Sequence, residues 1–247
     1  MQIVSSQFEI NGLSKTMIFR IDSAGDKGAL LQIFINKDYD ISQWPQGQRL
    51  VDYYAEKSQS APALIVDAGA NIGASVVAFS AYFPKSCIFS IEPDDANWSI
   101  LSFNTREINC FNFKGAISDI DGELIFVDPD RSDMGFMTQK ITPTDSESVK
   151  KVNGISPKSI LEHDFIHGTF PYIFKIDIEG GEADLFNGNT DWMDKFPLII
   201  IELHDWMLPF SGSSRSFIKA VAKYDFDLVH KGENIFLFNR RILAARG

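Results

Sequence analysis

Leu64-Ile65-Val66-Asp67-Ala68-Gly69-Ala70-Asn71-Ile72-Gly73 decides how the rest of the chain is read. An apolar run meets one acidic residue, then a turn of small residues, and helical periodicity begins at once. An α/β sheet presents backbone N–H groups to a nucleotide-like ligand in this way, at the start of a helix. Gly69, Asn71 and Gly73 fall at every second position after Asp67, unlike the Gly-x-Gly-x-x-Gly of a dinucleotide site. That fingerprint makes room for a diphosphate, whereas a carboxylate at the strand end suits a ligand carrying an ammonium group, as S-adenosylmethionine does. A plain tight connection would also use glycines, so the flanking segments must decide.

Ile72, Val76, Phe79 and Phe83 recur at helical spacing and stop at Pro84, which predicts a helix with one face on a sheet. A second strand, Cys87 to Ile91, ends on Glu92-Pro93. Glu92 lies about 20 residues beyond the glycine turn, where an acidic side chain can accept hydrogen bonds from both ribose hydroxyls.

The 247 residues, 45% of them hydrophobic, suffice for one large α/β domain with a small appendage. A formal charge of −10 argues against a nucleic-acid partner, because that affinity rests on Lys and Arg neutralising phosphates. Neither cysteine follows a proline, as cytosine-C5 methylation requires. No apolar run approaches the roughly 20 residues of a membrane span, and Met-Gln-Ile-Val-Ser-Ser does not open a signal peptide. A cytoplasmic protein without a membrane partner is expected. Cys87 and Cys110 fit a reducing compartment as small buried groups.

Residues 1–60 read as a β-rich appendage covering the cofactor edge. Phe8 and Ile10, then Met17, Phe19 and Ile21, flank the turn Asn11-Gly12, so a hairpin is expected; a further strand is expected through Leu31, Ile33 and Ile35, and a helix through Leu50, Val51 and Tyr54. From 61 to 247 strands and helices alternate, which implies parallel strands joined by right-handed crossovers. Phe111–Ile117 is the third strand, ending on Ser118-Asp119, and a hairpin at Asp121-Gly122 leads into residues 123–127. The polar stretch 128–158, with Met134, Phe136 and Met137, reads either as a lid over the acceptor or as a surface excursion.

The fourth and fifth strands, 172–179 and 197–204, are apolar runs that turn acidic only at their carboxyl ends. Alternation then aims Asp177 with Glu179 and Glu202 with His204. Burying so much negative charge is costly, so the cluster should hold a cation, share protons or face solvent. Three readings stay open: His204 as a base with an ordinary pKa of about 6.5; Asp177, Glu202 and His204 as ligands of a divalent ion; or partly a capping role, since Glu179 and Glu182 flank Gly180-Gly181. Lys175 can counter the carboxylates. His163 and His167 lack a third ligand at metal spacing and read as surface groups around Phe165.

The order Val66-Asp67-Ala68-Gly69-Ala70-Asn71-Ile72-Gly73, Ile91-Glu92-Pro93, Lys175-Ile176-Asp177-Ile178-Glu179-Gly180-Gly181-Glu182 and Ile201-Glu202-Leu203-His204 closely resembles the FkbM-type S-adenosylmethionine-dependent methyltransferases, from about residue 60 to 240. The resemblance implies a class I methyltransferase fold: a Rossmann-like, doubly wound, mostly parallel seven-stranded sheet whose last strand is antiparallel. It implies methyl transfer to an oxygen of a sugar, glycan or small natural product. Asp67, Gly69, Asn71 and Gly73 would hold the amino-acid end of the donor, Glu92 its ribose, and Ser118 and Asp119 its adenine. Asn71 replaces a glycine common in wider class I enzymes, and Asn tolerates the left-handed backbone the turn needs. An NAD-dependent oxidoreductase and a catalytically silent cofactor-binding module are the rival readings; the oligomeric state is left open.

Overall fold

The computed structural model describes residues 2–127, 137–140, 150–206 and 209–244. In chain order the elements are β1 (Ile3–Ile10), β2 (Leu13–Arg20), α1 (Ala24–Leu30), α2 (Pro45–Lys57), β3 (Ala63–Ala68), α3 (Ala74–Tyr82), β4 (Ser86–Glu92), α4 (Asp95–Asn104), β5 (Cys110–Lys114), β6 (Ala116–Ile117), β7 (Gly122–Val127), β8 (Met137–Lys140), β9 (Lys151–Ile155), α5 (Pro157–Leu161), β10 (Phe170–Ile176), α6 (Glu182–Asn187), β11 (Leu198–Glu202), α7 (Ser214–Val221), β12 (Phe226–Lys231), β13 (Asn234–Asn239) and α8 (Arg240–Leu243).

Seven strands form the central sheet in the order β12-β13-β11-β10-β3-β4-β5. Neighbours from β11 to β5 pair in parallel, and β13 runs antiparallel to both β11 and β12. This is the class I methyltransferase order with its single reversed strand. The order reverses between β3 and β10, and ligands of open α/β sheets bind at the carboxyl ends beside such a switch point. Every residue of β3 and β4 is buried, as strands covered on both faces require. One apolar layer, with Phe89, Phe174, Phe186 and Trp192, lies on one face. Ile65, Phe79, Tyr172 and Phe236 belong to the layer on the other.

The β1–β2 hairpin forms with Asn11 and Gly12 left-handed at its turn. It packs on the outside of α3 rather than extending the sheet: Ile10, Met17 and Phe34 share an apolar cluster with Val77, Ala78 and Ala81. Arg20, 4% exposed, pairs with the fully buried Asp26 and donates from Nη2 to Asn97 Oδ1 on α4 at 2.5 Å. The appendage is thus joined to the body by apolar packing and a buried polar link.

Four expectations are corrected. Leu31–Ile35 is a π-helical turn, not a strand; the buried residues are Leu30, Ile33 and Phe34, at helical spacing, while Leu31 and Ile35 are exposed. The third strand breaks at Gly115, where a β-carbon would meet Asn153 O at 2.2 Å, and Ala116–Ile117 join a second sheet of order β6-β9-β7-β8. In that sheet β9 lies between β6 and β7, so Asp121-Gly122 closes no hairpin. Within the expected lid 128–158, residues 151–155 are strand β9 and 157–161 helix α5, both built into the body; residues 128–136 and 141–149, with Met134 and Phe136, lie outside the described residues. Among the described residues no helix is long and apolar enough to cross a membrane.

Candidate active site

The β3–α3 turn rests on three left-handed residues, Gly69 (φ 79°), Asn71 (φ 49°) and Gly73 (φ 86°). Asn71 keeps the conformation a glycine would supply, as expected of its short polar side chain. Gly69 is required twice over: besides its φ, a β-carbon would lie 1.7 Å from Asp177 O, so the loops after β3 and β10 touch backbone to backbone. With α1 and the turn after it, these loops enclose a cleft of about 600 Å³ at the carboxyl ends of the strands.

The acids of the donor motif sit differently from the sequence expectation. Asp67 is fully buried, not on the cleft. Its cross-strand neighbour is Lys175, whose Nζ lies 3.1 Å from Oδ1, and Oδ2 accepts from Ser75 Oγ. Lys175 Nζ also donates to Gly69 O at 2.7 Å and lies 3.6 Å from Asp177 Oδ2. Burial pulls the Lys175 pKa down, but Asp67, Tyr39 and Asp177 reverse this and leave it above the usual value, so the ammonium is a fixed charge beside the turn. Glu92, 4% exposed, is likewise turned inward: Oε2 accepts from Asn71 N at 2.8 Å and Oε1 from Asp94 N at 2.9 Å. Burial, partly offset by these N–H groups, pushes Glu92 up to about 7. Gly73 packs on Leu101 of α4 rather than lining the cleft. Ser118 and Asp119 do not reach the cleft either; Asp119 lies against Gly188, just past α6.

The second half of the cleft is the acid–imidazole cluster. β10 stops at Ile176 and β11 at Glu202, so Asp177, Glu179 and His204 stand in the loops beyond and not on the strands, as the alternation had placed them. The loops nevertheless gather them. Glu179 (φ 34°) and Gly180 (φ 87°) turn the chain left-handed in succession, an uncommon backbone for a non-glycine residue and one typical of functional loops. His204, 3% exposed, has Nε2 at 3.6 Å from both Asp177 Oδ1 and Glu202 Oε1, while Nδ1–H donates to Glu182 Oε1 at 2.5 Å.

That setting corrects the expectation for His204. Burial opposes the charged ring, but the hydrogen bonds to Glu182 and Glu202 and the charges of Asp177 and Glu182 outweigh it and push the pKa up to about 10. The ring is an imidazolium at neutral pH and not a free base. Burial and the neighbouring Asp177 raise Glu179 to about 7.

Several residues that line the cleft were not read from the sequence. Gly25, Gly28 and Ala29 of α1, with Tyr39, form its outer wall, and Trp206 and Glu233 its far rim. Glu182, read as a helix cap, is fully buried against His204. No local signal marks Tyr39, whereas Glu182 stands three residues after Glu179 in the acidic run and could have been grouped with it. His163 accepts from Phe165 N and packs on Phe111, apart from the cleft.

The family model for the methyltransferase FkbM domain matches residues 67–231. No curated protein matches the chain. Among solved structures, the T. thermophilus 16S rRNA N2 G1207 methyltransferase RsmC, in complex with AdoMet and guanosine, is 12% identical with a TM-score of 0.43; 96% of this chain and 51% of that one are covered. The chain therefore spans about half the length of that protein. Precorrin-6y C5,15-methyltransferase from Geobacter metallireducens GS-15 is 9% identical with a TM-score of 0.38, covering 75% of this chain and 84% of that one. M. capricolum TrmK, in complex with S-adenosyl-homocysteine, is 7% identical with a TM-score of 0.37 and coverage of 75% and 66%. The fold class rests on the sheet order described above, and the family match takes in more than half of the chain, both strand-end loops included: the chain belongs to the methyltransferase FkbM domain family.

Proposed function

We propose that the chain methylates a hydroxyl oxygen of a sugar, glycan or other small natural product. The observation that carries this reading is that the glycine turn and the acid–imidazole cluster open on one cleft, so that a donor and an acceptor oxygen can meet there. The residues fit the donor. Asn71 Oδ1 is buried beside the turn and has no partner among the described residues, an acceptor suited to an ammonium or hydroxyl. Lys175 offers a cation for the carboxylate of the donor's amino-acid end, and Asp177 with Glu179 offers anions for its positive charges. Asp67 and Glu92 then act at one remove: Asp67 fixes Lys175, and Glu92 fixes the Asn71 backbone.

When bound, S-adenosylmethionine supplies an electrophilic methyl: a lone pair of the acceptor oxygen forms the new C–O bond, the C–S bond breaks with its electrons remaining on sulfur, and the hydroxyl proton goes to a carboxylate of the cluster. The protein's part is to hold both partners in line and exclude water. His204, already protonated, orients Asp177 and Glu202 toward the acceptor side. At that end Trp206, 69% exposed, borders a second depression of about 330 Å³ shared with Leu203, His230, Glu233 and Ile235. An aromatic face beside carboxylates suits a ring bearing hydroxyls.

Calorimetry with S-adenosylhomocysteine and with NAD, followed by mass analysis of a panel of hydroxylated acceptors incubated with the donor, tests the proposal. Binding of S-adenosylhomocysteine with an acceptor gaining one O-methyl is expected. Binding of NAD instead, or methyl found only on nitrogen or carbon, overturns it.

A further inference from the structure

Asp177, Glu202 and His204 can each turn one ligand atom to a common point, the three atoms lying within 4.8 Å of one another. Nε2 of His204 is 3.6 Å from a carboxylate oxygen of each partner. Ligands about 2.1–2.2 Å from one ion stand about 3.0–3.1 Å apart at right angles and about 3.4–3.6 Å apart at tetrahedral angles, so modest movements suffice to close this triad on a cation. Clustered acids alone would carry little. The second observation is the imidazole: it is 97% enclosed and aims Nε2 between the two carboxylates, 3.6 Å from an oxygen of each, so an ion replacing the Nε2 proton would find both carboxylates already facing it.

The orientation of the ring is set from behind. Nδ1–H donates to Glu182, which is itself fully buried and whose other oxygen, Oε2, has no partner among the described residues. A ligating histidine ordinarily has its second nitrogen held in this way by a carboxylate, which fixes the ring so that Nε2 faces the ion that displaces its proton. Lys175 engages Asp177 through Oδ2, leaving Oδ1 toward the histidine. The three side chains line the cleft, so further coordination positions open on the space assigned to the acceptor.

We propose that Asp177, Glu202 and His204 bind one divalent cation of the Mg²⁺ or Mn²⁺ type, with Glu182 as the positioning residue of His204. Two carboxylates and one imidazole with open positions are a hard, oxygen-rich set that suits these ions. The catalytic role of the ion rests on the methyl-transfer reading: it would hold the acceptor oxygen at the carboxyl end of β11 and favour loss of its proton. The binding site rests on the side chains alone.

Mn²⁺ is the probe. The full chain is titrated with MnCl₂ without donor or acceptor, and free Mn²⁺ is followed by its EPR signal, with calorimetry alongside. One saturable site per chain is expected; His204→Gln and Asp177→Asn should each weaken it by about 100-fold, and Glu182→Gln by about 10–100-fold with the ligands intact. Glu123→Gln, a substitution on the separate β7 strand, should bind like the parent. Absence of saturable Mn²⁺ binding by the parent chain, or binding that both His204→Gln and Asp177→Asn leave unchanged, overturns the proposal; the parent titration decides it even if a variant fails to fold. S-adenosylhomocysteine affinity is measured on the same samples. Its loss with Mn²⁺ binding kept counts against the donor reading alone, and the converse counts against the cation alone.

Discussion

Replacing Lys175 by methionine removes the counter-charge of a carboxylate that has no access to water. Asp67 is 0% exposed and Lys175 2%, their charged atoms are 3.1 Å apart, and the strands that carry them are cross-strand neighbours in the middle of the sheet. Methionine keeps most of the side-chain volume, so the loss is electrostatic: among the described residues Asp67 retains only Ser75 Oγ, and Gly69 O loses the Lys175 donor. Breaking a buried pair from one side costs about 3–5 kcal/mol, and in a chain of this size each kcal/mol moves the melting temperature by about 2–4 °C. Lys175→Met should therefore melt on the order of 10 °C below the parent in differential scanning calorimetry. The double variant Asp67→Asn/Lys175→Met, in which no charge is stranded and Asn can still bond Ser75, should recover most of that. A single variant within about 2 °C of the parent, or a double variant no better than the single, would refute the assignment of this pair as the electrostatic support of the turn.

The pH dependence of stability should carry a term from Glu92. Its carboxyl is held at about 7 in the fold against an ordinary 4.5, so between those values the folded state keeps a proton that the unfolded chain releases. Its contribution is full below about pH 4.5 and falls by about 3 kcal/mol as pH rises through 7; urea melts at about pH 5 and pH 8 should show that loss in the parent and not in Glu92→Gln, and equal slopes in both would discount Glu92. Gly69→Ala should cost about 3 kcal/mol or more, since the methyl falls 1.7 Å from Asp177 O and φ is 79°. Denaturation combined with S-adenosylhomocysteine calorimetry checks this, and a stable variant that binds like the parent would contradict the backbone contact.

The sheet was legible because its strands are long apolar runs closed by acids, and the donor turn because Asp67, Gly69, Asn71 and Gly73 keep a fixed spacing. Depth was not legible. Alternation tells which face a side chain takes, but whether it reaches solvent depends on what packs above it, and so Asp67 and Glu92 were assigned to the cleft when both are sealed beneath the turn. The cluster was found although its strands are shorter than expected, because Asp177 and His204 continue past neighbouring strands that end at one edge. Its protonation was hidden, since the pKa of His204 depends on Glu182, 22 positions away. The π turn was misread because Leu31, Ile33 and Ile35 mimic alternation, while the buried set follows helical spacing.

The segment shared with the family, 67–231, holds most of the central sheet but not every element the fold closes with. It ends at the last residue of β12, whose pairing partner within the sheet is β13, wedged between β12 and β11. It also begins after the hairpin and α1, which cover one flank of α3 and supply a wall of the cleft. A chain trimmed to the recognisable portion would lose a strand from inside its sheet and bare the apolar side of a helix, so what can be recognised and what can fold have different boundaries here. Transplanting the recognised portion onto another protein would carry the emblem of the chemistry without the architecture that makes it work.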